Sequence, residues 1–334
     1  KDFIEAWFET QQYFGCDPWI LVGLDEPTEG ENFKILKKSY YLNAETIQTE
    51  IIINTRKGTL YEIRRTNKEY DGWCIKHPVK NFVKDMPAYI QATLTDPWSQ
   101  ETNSINRALR IVGDNGLVSA NLGELFISYL AFAREGNISQ TLIDLFDYED
   151  YIRELHTKYI DYMCKKIERL SSVEGLDCVF INCGYSDGGV LGPNYYLKWE
   201  VPLLSAISKK AKEFGLVLHL HQHGKCRRLL NMIADTGVNL VDSLERPTAN
   251  GDVDDLSKVK KEIGNKIALK GNIDPINVLK KGTRAQISEQ VKACIEDAAY
   301  NGGYILGTGD SVVEGTPFEN IFELVNAGMK YGNY

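Results

Sequence analysis

Three of the chain's five histidines stand at alternate positions in one stretch, LHLHQHG over 218–224. On a β-strand, residues two apart share a face, so His219, His221 and His223 would point together, with His223 nearest the strand's C-terminal end. Neutral imidazole is a common metal ligand, and two histidines so spaced can hold one ion. Strand ends elsewhere offer Glu245 and Asp310 as a third ligand. Two imidazoles, one carboxylate and an open position suit Zn²⁺ acting as a Lewis acid, and equally suit non-haem Fe(II). The bland alternative is a set of histidines that hydrogen-bond their neighbours and orient a substrate. His219, the deepest, is expected to be a structural partner of the other two rather than a ligand.

Such a cluster needs a scaffold. Short runs rich in Val, Ile and Leu recur at 17–26, 108–116, 176–184, 216–224, 238–245, 266–274 and 303–310, each ending in polar residues. Helical periodicity fills most of the intervals, notably 142–170, 196–215 and 283–303, the last with a Thr cap and a Gly-Gly stop. Strand–helix alternation predicts parallel strands with helices outside, an α/β fold. Seven strands are one short of a (β/α)₈ TIM barrel, so an eighth is expected upstream of Lys1; a doubly wound open sheet is the competing architecture. Residues 39–80 alternate polar and apolar, with turn signals at Lys57-Gly58 and Asp71-Gly72. They predict an antiparallel β-meander inserted over the barrel mouth of a single 1–334 domain.

In such barrels chemistry gathers at the C-terminal strand ends. Those ends carry Asp25 and Glu26, Asp114 and Asn115, Asn182, His221 and His223, Asp242 and Glu245, Asn272 and Asp274, and Asp310. Asp274, followed by Pro275, also suits a helix cap. Asn272, and Asp187 in the GYSDGG loop, are candidates for binding a polar substrate group. Tyr185, with Tyr195 and Tyr196, would form an aromatic wall or ordinary packing.

The composition is that of a globular protein, 43% hydrophobic and 25% charged, with net charge −8 and no Lys/Arg cluster. That argues against a nucleic-acid partner. The longest strongly apolar run, 125–133, is too short to span a bilayer, and no signal-peptide pattern opens the chain. Seven cysteines without CxxC pairing suggest a reducing cytoplasm.

Four stretches carry a family resemblance: HQHG (221–224), GVNLVDSLERP (237–247), GDVDDLSKVKKEIGNKIALKGNIDP (251–275) and GGYILGTGDSVVEGTPFENIFELVNAG (302–328). From about residue 176 onward the chain resembles the uroporphyrinogen decarboxylase superfamily; a T-x-x-G-T-L segment at 55–60 adds a weaker match. The resemblance implies a (β/α)₈ barrel, and superfamily members are often dimers, which implies a homodimer. Decarboxylases of the superfamily need an Arg-rich loop for substrate carboxylates, and none occurs here. The SLERP…GDVD passage looks most like the corrinoid-dependent O-demethylase methyltransferases of anaerobes. These move a methyl group from a methoxylated aromatic to the Co(I) of a corrinoid protein. Members with zinc use an H-x-C-G strand end and a late Cys. In this chain the resemblance puts His221 at the His, His223 at the first Cys and Asp310 at the late Cys. Both thiolates are thus exchanged for N and O donors, which leaves a more acidic metal suited to polarising an ether oxygen. It further implies Glu245 beside the metal as an orienter, substitute ligand or proton donor. Glu200, 21 residues before His221, is a minor candidate. Without a DxHxxG motif, the cobalamin is expected from a partner protein. The alternatives are a metal-free decarboxylase and a barrel that binds without turnover.

Overall fold

The first helix, Phe3–Phe14, begins and ends on its own signals: Asp2 accepts the Glu5 N–H, and Gly15, at φ 75°, closes it. Beyond it the computed structural model describes residues 2–67 and 72–332; Asp71, of the Asp71-Gly72 turn signal, lies outside the described residues. The strands are, in order, β1 Trp19–Val22, β2 Glu29–Gly30, β3 Phe33–Tyr41, β4 Ile47–Thr55, β5 Gly58–Thr66, β6 Trp73–Lys76, β7 Leu117–Glu124, β8 Cys178–Asn182, β9 Val217–Gln222, β10 Leu240–Ser243, β11 Ala268–Ile273 and β12 Tyr304–Thr308.

Two compact units contain them. The first comprises Lys1–Leu24, Thr102–Leu125 and Lys166–Tyr334. Its sheet has seven strands in the order β1-β7-β8-β9-β10-β11-β12, each parallel to the next. The order follows the chain without reversal. A doubly wound sheet would turn back at a switch point, so this curled sheet is that of a TIM-like barrel. Helices Gly192–Glu213, Leu230–Ala234, Leu256–Ile263 and Arg284–Ala298 occupy the crossovers from β8 to β12. The last starts in a complete capping box between Thr283 and Gln286. The central strands are buried almost throughout, as parallel strands covered on both faces are: all four residues of β10 are buried, including the polar Asp242 and Ser243.

One expected strand is corrected. Residues 108–116 are not a strand: Asn103–Val112 is a helix and Gly113–Asn115 a tight 3₁₀ turn. Ile105, Ala108 and Val112 are the buried positions, at helical spacing. The strand comes next, as β7. Asp114 and Asn115 therefore precede a strand, at the end away from the chemistry. The expected helix at 142–170 is two, Asn137–Asp147 and Glu149–Ser171.

The second unit comprises Asp25–Glu101 and Phe126–Lys165. It holds the antiparallel meander, five strands in the order β2-β3-β4-β5-β6, spanning Glu29 to Lys76. Its alternation buries Ile51, Ile53 and Leu60 with Phe33 against Ala88 and Ala92 of the helix Phe82–Thr93. Arg134 and Asp144 form a buried ion pair at 2.6 Å in the same unit. Among the described residues no helix is long and apolar enough to cross a membrane.

Candidate active site

The register of the barrel sheet builds a row of polar residues. Glu124 pairs with Asn182, Asn182 with His221, and His221 with Asp242, on four successive strands. Lys270 follows on β11, one residue past the Val241–Leu269 pair. Partners in parallel register face the same side, so the row collects at the C-terminal ends of β7 to β11.

Asp242 is its centre. Its Oδ1 lies 2.8 Å from His221 Nδ1 and its Oδ2 2.5 Å from Lys270 Nζ. His219 Nε2 is 3.3 Å from the same Oδ1, without the alignment of a hydrogen bond, and its Nδ1 has no hydrogen-bond partner. Burial alone would push the Asp242 carboxyl up; the contacts with His219 and His221 and the charge of Lys270 outweigh it and hold the group well below the carboxylate range. An ionised carboxylate only accepts, so His221 carries its proton on Nδ1 and turns Nε2 outward. Burial lowers the His221 pKa, but Asp242 and then Asp310 raise it above its ordinary value.

His221 Nε2 stands 4.0 Å from Asp310 Oδ1. The His223 ring follows, 5.6 Å from that of His221 between centroids. Burial and the neighbouring His221 lower its pKa, which favours the neutral ring. The left-handed Gly224 (φ 70°) ends the HQHG turn and donates its N–H to Glu245 Oε2 at 2.6 Å. Ser243 and Leu244 also have positive φ, 75° and 49°. Two such non-glycine residues in sequence store strain, as functional loops often do; here they bring Glu245 back to the turn. Burial pushes the Glu245 carboxyl up to about 7, the Gly224 N–H opposes this, and the facing Asp310 carboxylate adds to it.

The remaining candidates are placed as follows. Asp187 accepts from Gly189 N at 2.6 Å and packs beside Gly224, so it joins the HQHG turn. Tyr185 is half-buried in the same loop. Asn272 is fully buried and donates to the carbonyls of Leu244 (2.8 Å) and Val253 (3.4 Å), which makes it a brace for the β10 loop. Glu200 is buried on its helix, accepting from Ser186 Oγ at 2.8 Å, and the Tyr196 hydroxyl donates to Gln222. Asp274 caps Pro275–Lys280. Asp25 bridges to Glu101 within the second unit. Sequence reading missed Lys270 and Glu124. A signal existed for each: a lysine in an otherwise apolar strand, and an acid closing LVSANLGE.

The donor chemistry fits a cation. His221 is tied at Nδ1 to a buried carboxylate and presents Nε2, the arrangement by which proteins orient a metal-binding histidine. Asp310 adds a carboxylate beside it, and Glu245 a second carboxyl group. Among the described residues no three His, Cys, Asp or Glu side chains already stand at ligand spacing.

Asn182 Nδ2 donates to Glu124 Oε1 at 3.2 Å. Burial raises the Glu124 carboxyl from 4.5 to about 7, against the opposing effects of Asn182 and His221. A folded-state pKa above the unfolded value means the native protein holds a proton the unfolded chain has lost. Stability therefore falls as pH rises from 4.5 to about 7. The penalty approaches ~3 kcal/mol at about 1.4 kcal/mol per unit. Glu124→Gln should remove it: the difference in unfolding free energy between wild type and variant should grow across that window in urea titrations. A difference independent of pH would refute the assignment.

Residues 127–331, more than half of the chain, match the family described as uroporphyrinogen decarboxylase (URO-D). The chain is 26% identical over 261 residues to methylcobamide:CoM methyltransferase MtbA of Methanosarcina mazei, covering 77% of this chain and 71% of that protein. It is 31% identical over 147 residues to chloroplastic uroporphyrinogen decarboxylase 2 of Oryza sativa subsp. japonica, covering 42% of this chain and 34% of that one. Against uroporphyrinogen decarboxylase of Coxiella burnetii the figures are 25% over 150 residues, 43% and 38%. The chain thus spans less than half the length of these decarboxylases. Among solved structures, a methyltransferase from Methanosarcina mazei superposes with a TM-score of 0.60 at 18% identity, over 80% of this chain and 74% of that one. That likeness is one of fold.

Proposed function

The chain belongs to the uroporphyrinogen decarboxylase family, and from that premise we propose that it is a corrinoid-dependent methyltransferase of the O-demethylase type. It takes a methyl group from a small methoxylated aromatic and delivers it to the Co(I) of a corrinoid protein. The observation that carries this reading is the Asp242–His221–Asp310 line, with His221 Nε2 turned toward a second carboxylate. Similarity to a methylcobamide:CoM methyltransferase supports a corrinoid as methyl carrier.

His221, His223 and Asp310 would hold the metal, Zn²⁺, with Glu245 as orienter or substitute ligand. Bound there, Zn²⁺ supplies Lewis-acid stabilisation of the oxygen that leaves. The chain's own residues do the rest. Asp242 fixes the His221 tautomer, and Lys270 balances the charge of Asp242. Asp187 and Tyr185, beside and before the HQHG turn, bind substrate, with Asn272 bracing the loop that carries Glu245. Catalysis is leaving-group stabilisation and alignment, with no covalent intermediate on the protein. The reducing cytoplasm is the compartment we assign, on the odd number of cysteines and their lack of CxxC spacing.

The alternative is a metal-free decarboxylase. It needs cations for its substrate's carboxylates, and Lys270 in the polar row is already engaged by Asp242. The two are separated by assaying zinc-loaded protein for methyl transfer to protein-bound and free cob(I)alamin from methoxyarenes, methanol and methylamines. The expected result is methylcobalamin from at least one methoxyarene. No transfer from any donor, together with decarboxylation of uroporphyrinogen by metal-free protein, would contradict the proposal.

A further inference from the structure

We propose that the free end of the β3–β4 hairpin is a docking surface for an anionic lipid bilayer. The assignment stands on the second unit alone, whichever chemistry the barrel performs. The hairpin starts as part of a packed layer: Phe33, Ile51, Ile53 and Leu60 lie against Ala88 and Ala92 of the helix Phe82–Thr93. That cover stops short. Successive side chains of a strand point to opposite faces, yet every residue of β3 from Leu36 to Tyr41 is exposed, so neither face of this stretch is covered. Its outer edge is open too, because β2 pairs only with Phe33 and Lys34. The tip itself is ordered. The Leu42 N–H donates to the Thr46 carbonyl, and Asn43 Oδ1 accepts from the N–H groups of Glu45 and Thr46, each at 2.9 Å.

This end is apolar at its tip and basic behind it. Tyr41 is 73% exposed, Leu42 43% and Tyr40 36%. Register carries the pattern across the sheet: Tyr40 stands opposite Gln48, Gln48 opposite Arg65, and Arg65 opposite Trp73, itself 37% exposed. Gln48 Nε2 donates to the Tyr40 hydroxyl at 2.7 Å and Arg65 Nε to Gln48 Oε1 at 2.9 Å, which fixes the row. Lys37 and Lys38 precede it on β3. Glu50, opposite Lys38, accepts instead from the Tyr40 hydroxyl at 2.7 Å. Arg64 is paired with the buried Glu62, and Glu45 is the one acid of the 40–46 segment. Residues 33–76 hold nine Lys and Arg against five Asp and Glu, in a chain of net charge −8. Along the sequence these cations are scattered pairs; the sheet brings Lys37-Lys38 and Arg64-Arg65 to the same end. A bilayer is the occupant this chemistry fits. Tyr and Trp rings settle at headgroup level, and lysines draw the surface to anionic lipid. A protein interface instead depletes lysine and anchors its aromatic residues in pockets, which a strand exposed on both faces does not provide.

The test is co-sedimentation of the full chain with two kinds of vesicle, phosphatidylcholine alone and phosphatidylcholine with about 30% phosphatidylserine. Binding is expected only to the second, and it should weaken severalfold between about 0.1 M and about 0.5 M salt. Lys37→Gln with Lys38→Gln should weaken it about 30-fold, the scale of two cations at an anionic surface. Tyr41→Ser with Leu42→Ser should weaken it about tenfold through lost apolar insertion. All four side chains are exposed, so both double variants should keep the wild-type circular dichroism and urea midpoint. Tryptophan emission should shift to the blue on the anionic vesicles, and Trp73→Phe should remove most of that shift. The proposal needs both pairs to matter: binding that survives either double substitution at wild-type strength overturns it. So does equal binding to the two kinds of vesicle. Retention on immobilised polyglutamate without binding to either vesicle would assign the face to an acidic protein and overturn the proposal as well.

Discussion

His221→Ala is expected to abolish stoichiometric zinc binding and to lower methyl transfer by about three orders of magnitude, the scale of removing a preorganised electrostatic stabiliser. The ring is the hinge of the polar row: Nδ1 is fixed by Asp242 at 2.8 Å and Nε2 faces Asp310 at 4.0 Å. Alanine takes away the nitrogen donor and leaves the carboxylates facing each other. The fold should survive, because Asp242 keeps Lys270 as its partner and the side chain is partly exposed. His223→Ala should be milder, since that ring lies past the end of β9 rather than on the strand. Metal content by mass spectrometry and single-turnover formation of methylcobalamin measure both. A His221→Ala protein that retains full zinc and activity would refute the role.

The second large effect belongs to Asp242→Ala. This carboxylate is 3% exposed and serves His221 and Lys270 at once. Its removal leaves a half-buried lysine without its counter-charge and frees the His221 ring to change tautomer. Breaking a fully buried pair from one side costs about 3–5 kcal/mol, an upper bound for this partly exposed lysine, and loss of the carboxylate that orients a ligand histidine lowers metal affinity about 10–100-fold. Urea midpoints and chelator competition read the two effects separately. Because the stability loss comes from the stranded charge, Lys270→Met added to Asp242→Leu should restore part of it. If the double variant is no more stable than Asp242→Leu alone, the stranded-charge explanation is wrong.

Why the histidine cluster was legible and its partners were not follows from physics. Alternation at 219, 221 and 223 is a period-2 signal that only a strand satisfies, and β9 satisfies it for the first two. A helix start was legible where a cap marked it, as at Thr283. ALRIVGDNG was misread because a short apolar run with Ile-Val and Gly is ambiguous between a buried helix end and a strand. That error moved β7 out of view and hid Glu124. Lys270 left only the signal of a lysine in an apolar strand. Its partner is 28 positions away, and long-range pairing leaves no local pattern that says what the ammonium meets. The meander was found, but its start at Glu29 was missed because β2 is two exposed residues and β3 buries only Phe33, leaving weak alternation. Asn272 read as a site residue because polar residues at strand ends usually serve chemistry; here the amide is spent on the carbonyls of Leu244 and Val253.

Zinc K-edge X-ray absorption on the zinc-loaded protein, with His221→Ala and Asp310→Ala beside it, addresses the metal site without reference to substrate. A shell of nitrogen and oxygen donors at about 2.0–2.1 Å, with imidazole scattering, is expected in wild type. It should lose imidazole in the first variant and an oxygen in the second. A sulfur shell, or a spectrum that neither substitution alters, would mean that the ion binds elsewhere and that the strand-end cluster is not the metal centre.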